Sequence, residues 1–299
     1  MPAPRLTELL PQLEAVDPWL AMARGGGASN DEGGDPVSHA DPRLLARHLG
    51  NYLAAAEVAV DRDVAPADDL LLDVGCGTGA YSAWLADRLG VPLHLADHDP
   101  GVLAAAEARF TVARTHLDAG AAPLAGTVTA MEVLEHVPPA AQAGFVTTLV
   151  GRVAPGGVLV LSTPDEWLYP GGWSGYAPHV GCVTASGLAV LLAGAAPGLP
   201  VEVWRLVGGP FDVPAPRRWL EAVGNRAWTA VRGLAPGLAG RLADASGGGT
   251  AVDTEDDTED GDDGPVLDVG RVPGIDQVRV LPAEHGSGGS LVGVVRRPR

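Results

Sequence analysis

One stretch decides the fold of this chain, Leu70-Leu71-Leu72-Asp73-Val74-Gly75-Cys76-Gly77-Thr78-Gly79. Its apolar first half predicts a buried strand, and its three alternating glycines come where a helix should open. Glycine allows a sharp turn and a close approach of the backbone to a ligand, and the N-terminus of a helix attracts negative charge. The stretch therefore predicts a ligand-binding turn between strand and helix, with an ordinary tight turn as the alternative.

The spacing of the glycines separates two classes of cofactor. Gly75, Gly77 and Gly79 follow one another at every second position. A dinucleotide-binding loop instead has two residues before its third glycine, and Ala80 holds that place here. The spacing disfavours a nicotinamide-dependent oxidoreductase, which remains a rival hypothesis.

An acidic residue stands at the end of the next predicted strand. Asp97 comes eighteen positions after Gly79, and a carboxylate at that place can accept hydrogen bonds from both hydroxyls of a ribose. Asp99 is the second choice for this role, because its position is better suited to capping a helix that begins at Pro100. Asp97 is therefore predicted to bind a ribose.

Apolar runs and helical segments alternate after this motif. Strands that are apolar throughout and separated by helices are typical of a parallel sheet covered on both faces, whose ligands bind at the carboxyl ends of the strands. The predicted fold class is therefore α/β, doubly wound. The strands are predicted at 70–74, 91–96, 111–117, 127–131, 158–162 and 201–207, and the helices at 79–89, 100–109 and 140–153.

The chain is predicted to have a core and three additions. These are a helical cap at 1–60, the core at 61–210, a helical insertion at 211–264 and a C-terminal segment at 265–299 that completes the sheet. The cap has helices at 6–23 and 42–59. The insertion contains an acidic run at 253–263, with eight acids in eleven residues, which is expected to be disordered. Strands at 277–281 and 291–295 are predicted to form a closing antiparallel hairpin.

The charge and composition of the chain disfavour several classes of protein. The formal net charge of −17 disfavours a nucleic-acid substrate, because a phosphate backbone would be repelled. The two cysteines are too few for a disulfide scaffold, and no apolar run has the length of a signal peptide or a membrane span. We therefore expect a soluble, cytoplasmic protein.

A predicted helix at 217–242 carries five arginines and one acid beside two tryptophans. It can act as a solvated lid, rest on an anionic membrane surface, receive an acidic substrate or dock the acidic run. The lid is the preferred interpretation. Any membrane contact would be peripheral and confined to this helix.

Together these motifs resemble the class I S-adenosylmethionine-dependent methyltransferases over about residues 45–210. The matching segments are 73–79, Asp97, Asp118 after strand three, 131–137 after strand four and 154–158 before strand five. The resemblance implies a mostly parallel seven-stranded sheet and S-adenosylmethionine as cofactor. Cofactor-binding roles are implied for Asp73, Gly75, Gly77, Gly79, Asp97, Asp118 and Glu132. In this set the glycines pack on the methionine part, Asp97 holds the ribose and Asp118 meets the adenine amino group.

A finer resemblance rests on Glu132-Val133-Leu134-Glu135-His136-Val137-Pro138, on Ser162-Thr163-Pro164-Asp165 and on His179. These segments are similar to those of the quinone-biosynthesis O-methyltransferases, and the small-RNA terminal 2′-O-methyltransferases share a similar run. The resemblance implies methyl transfer to a small-molecule acceptor, preferably at a hydroxyl oxygen. A methyltransferase acting on RNA or another macromolecule and a non-catalytic S-adenosylmethionine-binding regulator are the alternatives.

Three interpretations of this run stay open. His136 can be a general base for the acceptor hydroxyl, because the pKa of histidine suits that task. The second interpretation is a divalent-metal site, for which a helical turn would bring the ligands together. Its ligands would be Glu132, Glu135, His136 and His179. The third is that Glu135 and His136 only brace the turn while Glu132 contacts the cofactor. We take His136 as the catalytic residue and assign no metal.

Aromatic residues are concentrated in the glycine- and proline-rich loop 165–179, directly after strand five. They are Trp167, Tyr169, Trp173 and Tyr176. Such a loop can line a pocket for a planar or apolar acceptor, or its rings can plug the loop onto the core.

Overall fold

A computed structural model of the chain describes residues 15–16, 18–19, 42–234, 278–284 and 288–299. The longer helices are α1 (Pro42–Ala59), α2 (Ala80–Leu89), α3 (Pro100–Arg109), α4 (Pro139–Arg152), α5 (Ala185–Ala195) and α6 (Ala215–Leu234). The strands are β1 (Leu71–Val74), β2 (Leu93–Ala96), β3 (Arg114–His116), β4 (Ala125–Met131), β5 (Val153–Pro164), β6 (Val201–Val207), β7 (Arg279–Pro282) and β8 (Gly288–Arg296).

The described strands form one sheet in the order β3-β2-β1-β4-β5-β8-β6-β7. The pairs from β3 to β5 are parallel, and β8 is antiparallel to both of its neighbours. The chain leaves β1 to one side for β2 and β3 and then crosses to the other side for β4 and β5. The doubly wound α/β prediction is confirmed, although β7 adds an eighth strand at the edge to the predicted seven.

The two C-terminal strands do not form the predicted hairpin. β6 lies between them and pairs antiparallel with both, so that Trp204 faces Pro282 in β7 and Val292 in β8. β8 is apolar on both faces and is buried along most of its length, as an interior strand must be. β7 is short and exposes Arg279, which suits an edge.

Helices cover the two faces of the sheet in two layers. Buried residues of α1, α2 and α3 form one core with Leu71, and buried residues of α4 and α5 form the other with Leu72. Leu71 and Leu72 are neighbours in β1 and face opposite layers, because successive side chains along a strand point to opposite faces of the sheet. Because α1 belongs to the first layer, it packs directly on the sheet that carries the glycine loop.

Parts of the predicted additions lie outside the described residues. Of the predicted helix at 6–23, the described residues 15, 16, 18 and 19 are helical, and Trp19 packs against Phe110 with ring centroids 6.1 Å apart. The acidic run at 253–263 lies wholly outside the described residues. None of the helices in the described part of the chain has the length and apolar content needed to cross a membrane.

Candidate active site

The glycine loop lies between β1 and α2, at the carboxyl edge of the sheet. Gly75, Gly77 and Gly79 have φ angles of +71°, +52° and +78°, a region where a side chain costs roughly 1 kcal/mol or more. A Cβ on Gly75 would lie 2.5 Å from Val133 Cγ2, whereas a Cβ on Gly77 would meet nothing within 4 Å. The loop therefore packs tightly on the segment after β4 at its first glycine. At its second glycine it leaves space for a ligand.

Asp73 in β1 is buried with no exposed surface. Its carboxylate accepts hydrogen bonds from the hydroxyls of Tyr52 at 2.8 Å, Thr129 at 2.6 Å and Ser82. Burial raises the pKa of Asp73, and the three hydrogen bonds offset part of that rise. Asp73 therefore exposes no surface to a ligand in this structure, and its predicted contact with the cofactor stays a prediction. Asp73 positions the loop by joining α1, α2 and β4 to β1.

Asp97 and Asp118 follow the carboxyl ends of β2 and β3 on the same sheet edge. One oxygen of Asp97 accepts the backbone N–H of Asp99 at 3.0 Å. Asp99 itself accepts the Gly101 N–H at 2.7 Å, which confirms that it caps α3. Asp118 is exposed and accepts the Gly120 N–H at 2.8 Å. The ribose and adenine roles of Asp97 and Asp118 stay predictions.

Glu132 forms a buried junction between α1 and the strand ends. Among the described residues it is the one non-glycine with a left-handed backbone, at φ +56°. Its Oε1 accepts hydrogen bonds from Asn51 at 2.9 Å, Ser162 at 2.8 Å and Ser290 at 3.0 Å, and its Oε2 lies 3.0 Å from Arg47 Nε. The carboxylate is thus directed at α1, β5 and β8.

Sequence reasoning missed Arg47 and Asn51. Their signal is a spacing of four residues, which places both on one face of α1. Polar side chains on a packed face need partners, and Glu132 is the shared partner. Nothing local in the sequence connects them to Glu132, because the contact spans about eighty residues.

A second cluster follows β4. One possible ligand atom each from Glu135, His136 and His179 lies within 4.8 Å of the others, and the two imidazole rings meet edge to face with centroids 5.2 Å apart. Glu132 is not in the group. The predicted helical face shared by Glu132 and this cluster is wrong, because the chain turns at Glu132 and then makes a single 3₁₀ turn from Leu134.

Each histidine of the cluster is held at Nδ1. His136 Nδ1 lies 3.2 Å from the Pro178 carbonyl oxygen, and His179 Nδ1 lies 2.5 Å from Glu166 Oε1. Burial alone would raise the pKa of Glu166, but hydrogen bonds from His179 and Ser174 and the charge of His179 outweigh it and lower the pKa. Glu166 is therefore a carboxylate and accepts the Nδ1 proton of His179. The sequence analysis did not single out Glu166.

Glu135 is the buried member of the cluster, with 1% of its surface exposed. Burial, and then the charge of Glu132, raise the pKa of its carboxyl well above the usual range. His136 is the accessible member, with 34% of its side chain exposed. The cluster thus contains an accessible imidazole, that of His136, beside the buried carboxyl group of Glu135.

Helix α6 packs on the loop 165–179. Arg226 donates hydrogen bonds to two carbonyls of the loop at 2.6 and 3.1 Å, and its guanidinium lies 5.7 Å from the ring centroid of Trp173. Asn225 donates to the Ser174 carbonyl at 3.1 Å. These contacts favour the lid interpretation, since the loop also carries His179. The predicted continuation of the helix at 235–242 lies outside the described residues.

The aromatic residues of the loop divide between two roles. Trp173 donates to the Tyr176 carbonyl at 3.1 Å, and the Tyr176 ring meets the edge of His179 with centroids 4.8 Å apart. These two rings brace the loop against α6 and the cluster. Trp167 is 55% exposed, and its ring lies against Gly172 of the same loop.

Comparison with known proteins gives a match to the part of the chain that contains the glycine loop and the cluster. Residues 40–195 match the model of a family described as a methyltransferase domain, and no curated protein matches the chain. Among solved structures, a candidate methyltransferase of Bacillus halodurans is 16% identical, over 84% of this chain and 100% of that one, with a TM-score of 0.48. An S-adenosylmethionine-dependent methyltransferase of Archaeoglobus fulgidus is 12% identical, over 85% and 94%, with a TM-score of 0.47. A sugar N-methyltransferase of Streptoalloteichus sp. is 27% identical, over 40% and 49%, with a TM-score of 0.34.

Proposed function

Because the chain belongs to the methyltransferase domain family and its cofactor is S-adenosylmethionine, we propose that it methylates a hydroxyl oxygen of a small molecule. The observation that carries this proposal is the position of His136. Val133 packs against Gly75 of the cofactor loop, and His136 follows three residues later with part of its ring exposed. This spacing favours an acceptor held between the loop and His136.

The proposed reaction is one in-line displacement. The acceptor oxygen forms a bond to the methyl carbon, the C–S bond breaks with its electron pair on sulfur, and His136 accepts the hydroxyl proton. The sulfonium is already a reactive leaving group, so the protein contributes mainly alignment, which is worth roughly 7 kcal/mol or more. His136 is the proposed catalytic residue, because it is the accessible titratable group beside the acceptor.

The proposed partner is a small molecule and not a nucleic acid. A net charge of −17 repels a phosphate backbone. The exposed residues Trp219, Leu220 and Val223 of α6 are suited to a peripheral contact with a membrane surface, and the proposal confines any such contact to this helix.

Asp97→Ala is expected to weaken binding of S-adenosylmethionine about ten-fold or more, because a hydrogen bond to a carboxylate contributes roughly 1.5–3 kcal/mol. Calorimetric titration measures the change. Asp99→Ala is the matched control, since Asp99 caps α3 and its loss should cost about 1 kcal/mol of stability without a change in affinity. Wild-type affinity in Asp97→Ala would remove Asp97 from the cofactor site.

Gly77→Ala is expected to weaken cofactor binding about ten-fold or more. Its Cβ would occupy the open space beside the loop, where the cofactor should lie. Gly90→Ala is the control, because Gly90 also has a positive φ, of +67°, and also has nothing within 4 Å of its Cβ. Both variants should lose a similar free energy of unfolding in urea, roughly 1 kcal/mol, and only Gly77→Ala should lose affinity. Equal affinities would mean that the open side of Gly77 does not face the cofactor.

The function is tested by calorimetry with S-adenosylmethionine and S-adenosylhomocysteine, followed by transfer of a labelled methyl group to a panel of hydroxyl, amine and thiol acceptors and to RNA. A methyl ether identified by mass spectrometry supports the proposal. Methylation of an amine or of RNA would replace it. Cofactor binding without transfer to any acceptor would favour the regulatory alternative.

A further inference from the structure

We propose that Arg226 of α6 is a positioning residue for methyl transfer, because it holds the loop 165–179 in the shape that receives the acceptor. The role in methyl transfer rests on the proposed function, whereas the hold on the loop stands on the contacts alone. The loop follows β5, and Arg226 lies far from it in the chain, since their two hydrogen bonds span 53 and 56 residues of sequence.

Arg226 makes three contacts with the loop. Its Nη2 group donates hydrogen bonds to the carbonyl oxygens of Pro170 at 2.6 Å and Trp173 at 3.1 Å. Its guanidinium carbon also lies 5.7 Å from the centroid of the Trp173 ring, within the range of a cation–π contact. Hydrogen bonds from a charged donor are stronger than those between neutral groups. One side chain therefore fixes both ends of the segment 170–173.

The loop and α6 also meet backbone to backbone. A Cβ on Gly175 would lie 2.8 Å from the Ala222 carbonyl oxygen and 3.0 Å from the backbone nitrogen of Arg226. Gly175 has a φ of +86°, and its lack of a side chain admits the helix. Asn225 adds a hydrogen bond to the Ser174 carbonyl at 3.1 Å. The loop is thus shaped to fit this helix.

The segment that α6 holds is connected to the histidines of the cluster. Ser174 donates its hydroxyl to Glu166 Oε1 at 2.9 Å and its backbone N–H to the other oxygen of the same carboxylate, which accepts the Nδ1 proton of His179. The Tyr176 ring meets the edge of the His179 ring, and that ring lies against His136. A shift of the loop would therefore move the groups beside the acceptor. A misplacement of about 1 Å can slow a reaction roughly 100-fold.

Arg226→Met should lower kcat/KM for the acceptor roughly 10- to 100-fold with unchanged affinity for S-adenosylmethionine. Arg226→Lys keeps the charge but loses the planar fork of donors, so it should recover part of the loss. Arg217→Met is the matched control on the same helix, because Arg217 is 65% exposed and pairs with Glu221 at 3.3 Å. It should transfer methyl groups at the wild-type rate.

The urea midpoint of unfolding separates positioning from support of the fold. Arg226 is exposed, so the midpoint should hardly change in any of the three variants. If Arg226→Met instead loses stability and cofactor affinity together with turnover, the side chain only supports the fold and the proposal is wrong.

Gly175→Ala tests the same contact from the side of the loop, with Arg226 in place. It should also slow transfer roughly 10- to 100-fold, because its Cβ would push α6 away from the loop. Gly171→Ala is the matched control. Gly171 has a similar φ, of +77°, but its Cβ would lie at an ordinary 3.6 Å from Arg226 Nη2. Equal rates in the two variants would overturn the proposal.

Amide hydrogen exchange without any acceptor separates this inference from the proposed function. Arg226→Met should speed exchange at the bonded amides of Gly172 and Ser174 about ten-fold or more, while the amides of β5 keep their wild-type rates. Unchanged exchange in the loop would overturn the inference and leave the function intact. Faster exchange in a chain whose wild type methylates no hydroxyl acceptor would overturn the function and leave the hold on the loop.

Discussion

His136→Ala is expected to slow methyl transfer about 100-fold or more while S-adenosylmethionine binds with unchanged affinity. A group that acts on the acceptor proton, directly or through a bound ion, typically contributes 10²- to 10⁴-fold. His136 is close in sequence to Val133, which packs on Gly75, but it belongs to the cluster and not to the glycine loop. Single-turnover kinetics should therefore show the loss, and calorimetry should show none.

His94→Ala is the control for this experiment, because His94 is a partly buried histidine in the middle of β2. It should transfer methyl groups at the wild-type rate. If His136→Ala also keeps that rate, His136 only braces the turn after β4. If its cofactor affinity falls instead, the cluster belongs to the cofactor site.

Asp73→Ala is expected to lower the free energy of unfolding by about 3–5 kcal/mol, the largest loss of stability predicted for this chain. The substitution leaves three buried hydroxyls, of Tyr52, Ser82 and Thr129, without their acceptor. Burial, and then the charge of Asp73, raise the pKa of Tyr52, so that this hydroxyl keeps its proton and donates it. Urea unfolding followed by circular dichroism measures the loss.

Asp118→Ala is the comparison for Asp73. Both are acids at the carboxyl edge of the sheet, but Asp118 is exposed and caps a short turn. Its replacement should cost about 1 kcal/mol or less. A loss as small as this in Asp73→Ala would show that the three hydroxyls find other partners and that Asp73 does not hold the loop.

Local features were predicted well from the sequence. The strand that leads into the glycine loop was predicted at 70–74 and runs from Leu71 to Val74. The helix at 100–109 has the predicted bounds and the predicted cap at Asp99. Glycines at positive φ, apolar runs and helix caps all depend on interactions within a few residues. The sequence itself therefore carries the information.

Features that depend on distant pairing were predicted poorly. The hairpin of the last two strands was wrong because β6, about eighty residues earlier, takes the place between them. The hydrogen bond from Tyr52 of α1 to Asp73 was missed because nothing in the sequence connects the two residues. Glu166 was overlooked because its partner, His179, lies at the other end of the same loop.

The class of fold, the glycine loop and the residues at the ends of the strands could be predicted from the sequence, because glycine conformation and hydrophobic periodicity are local properties. Which polar side chains come into contact depends on the tertiary structure. It turned Glu132 toward α1 and away from Glu135, and it brought His179 beside His136. A buried polar group needs a partner, and in the packed chain that partner often belongs to a segment that is remote in sequence.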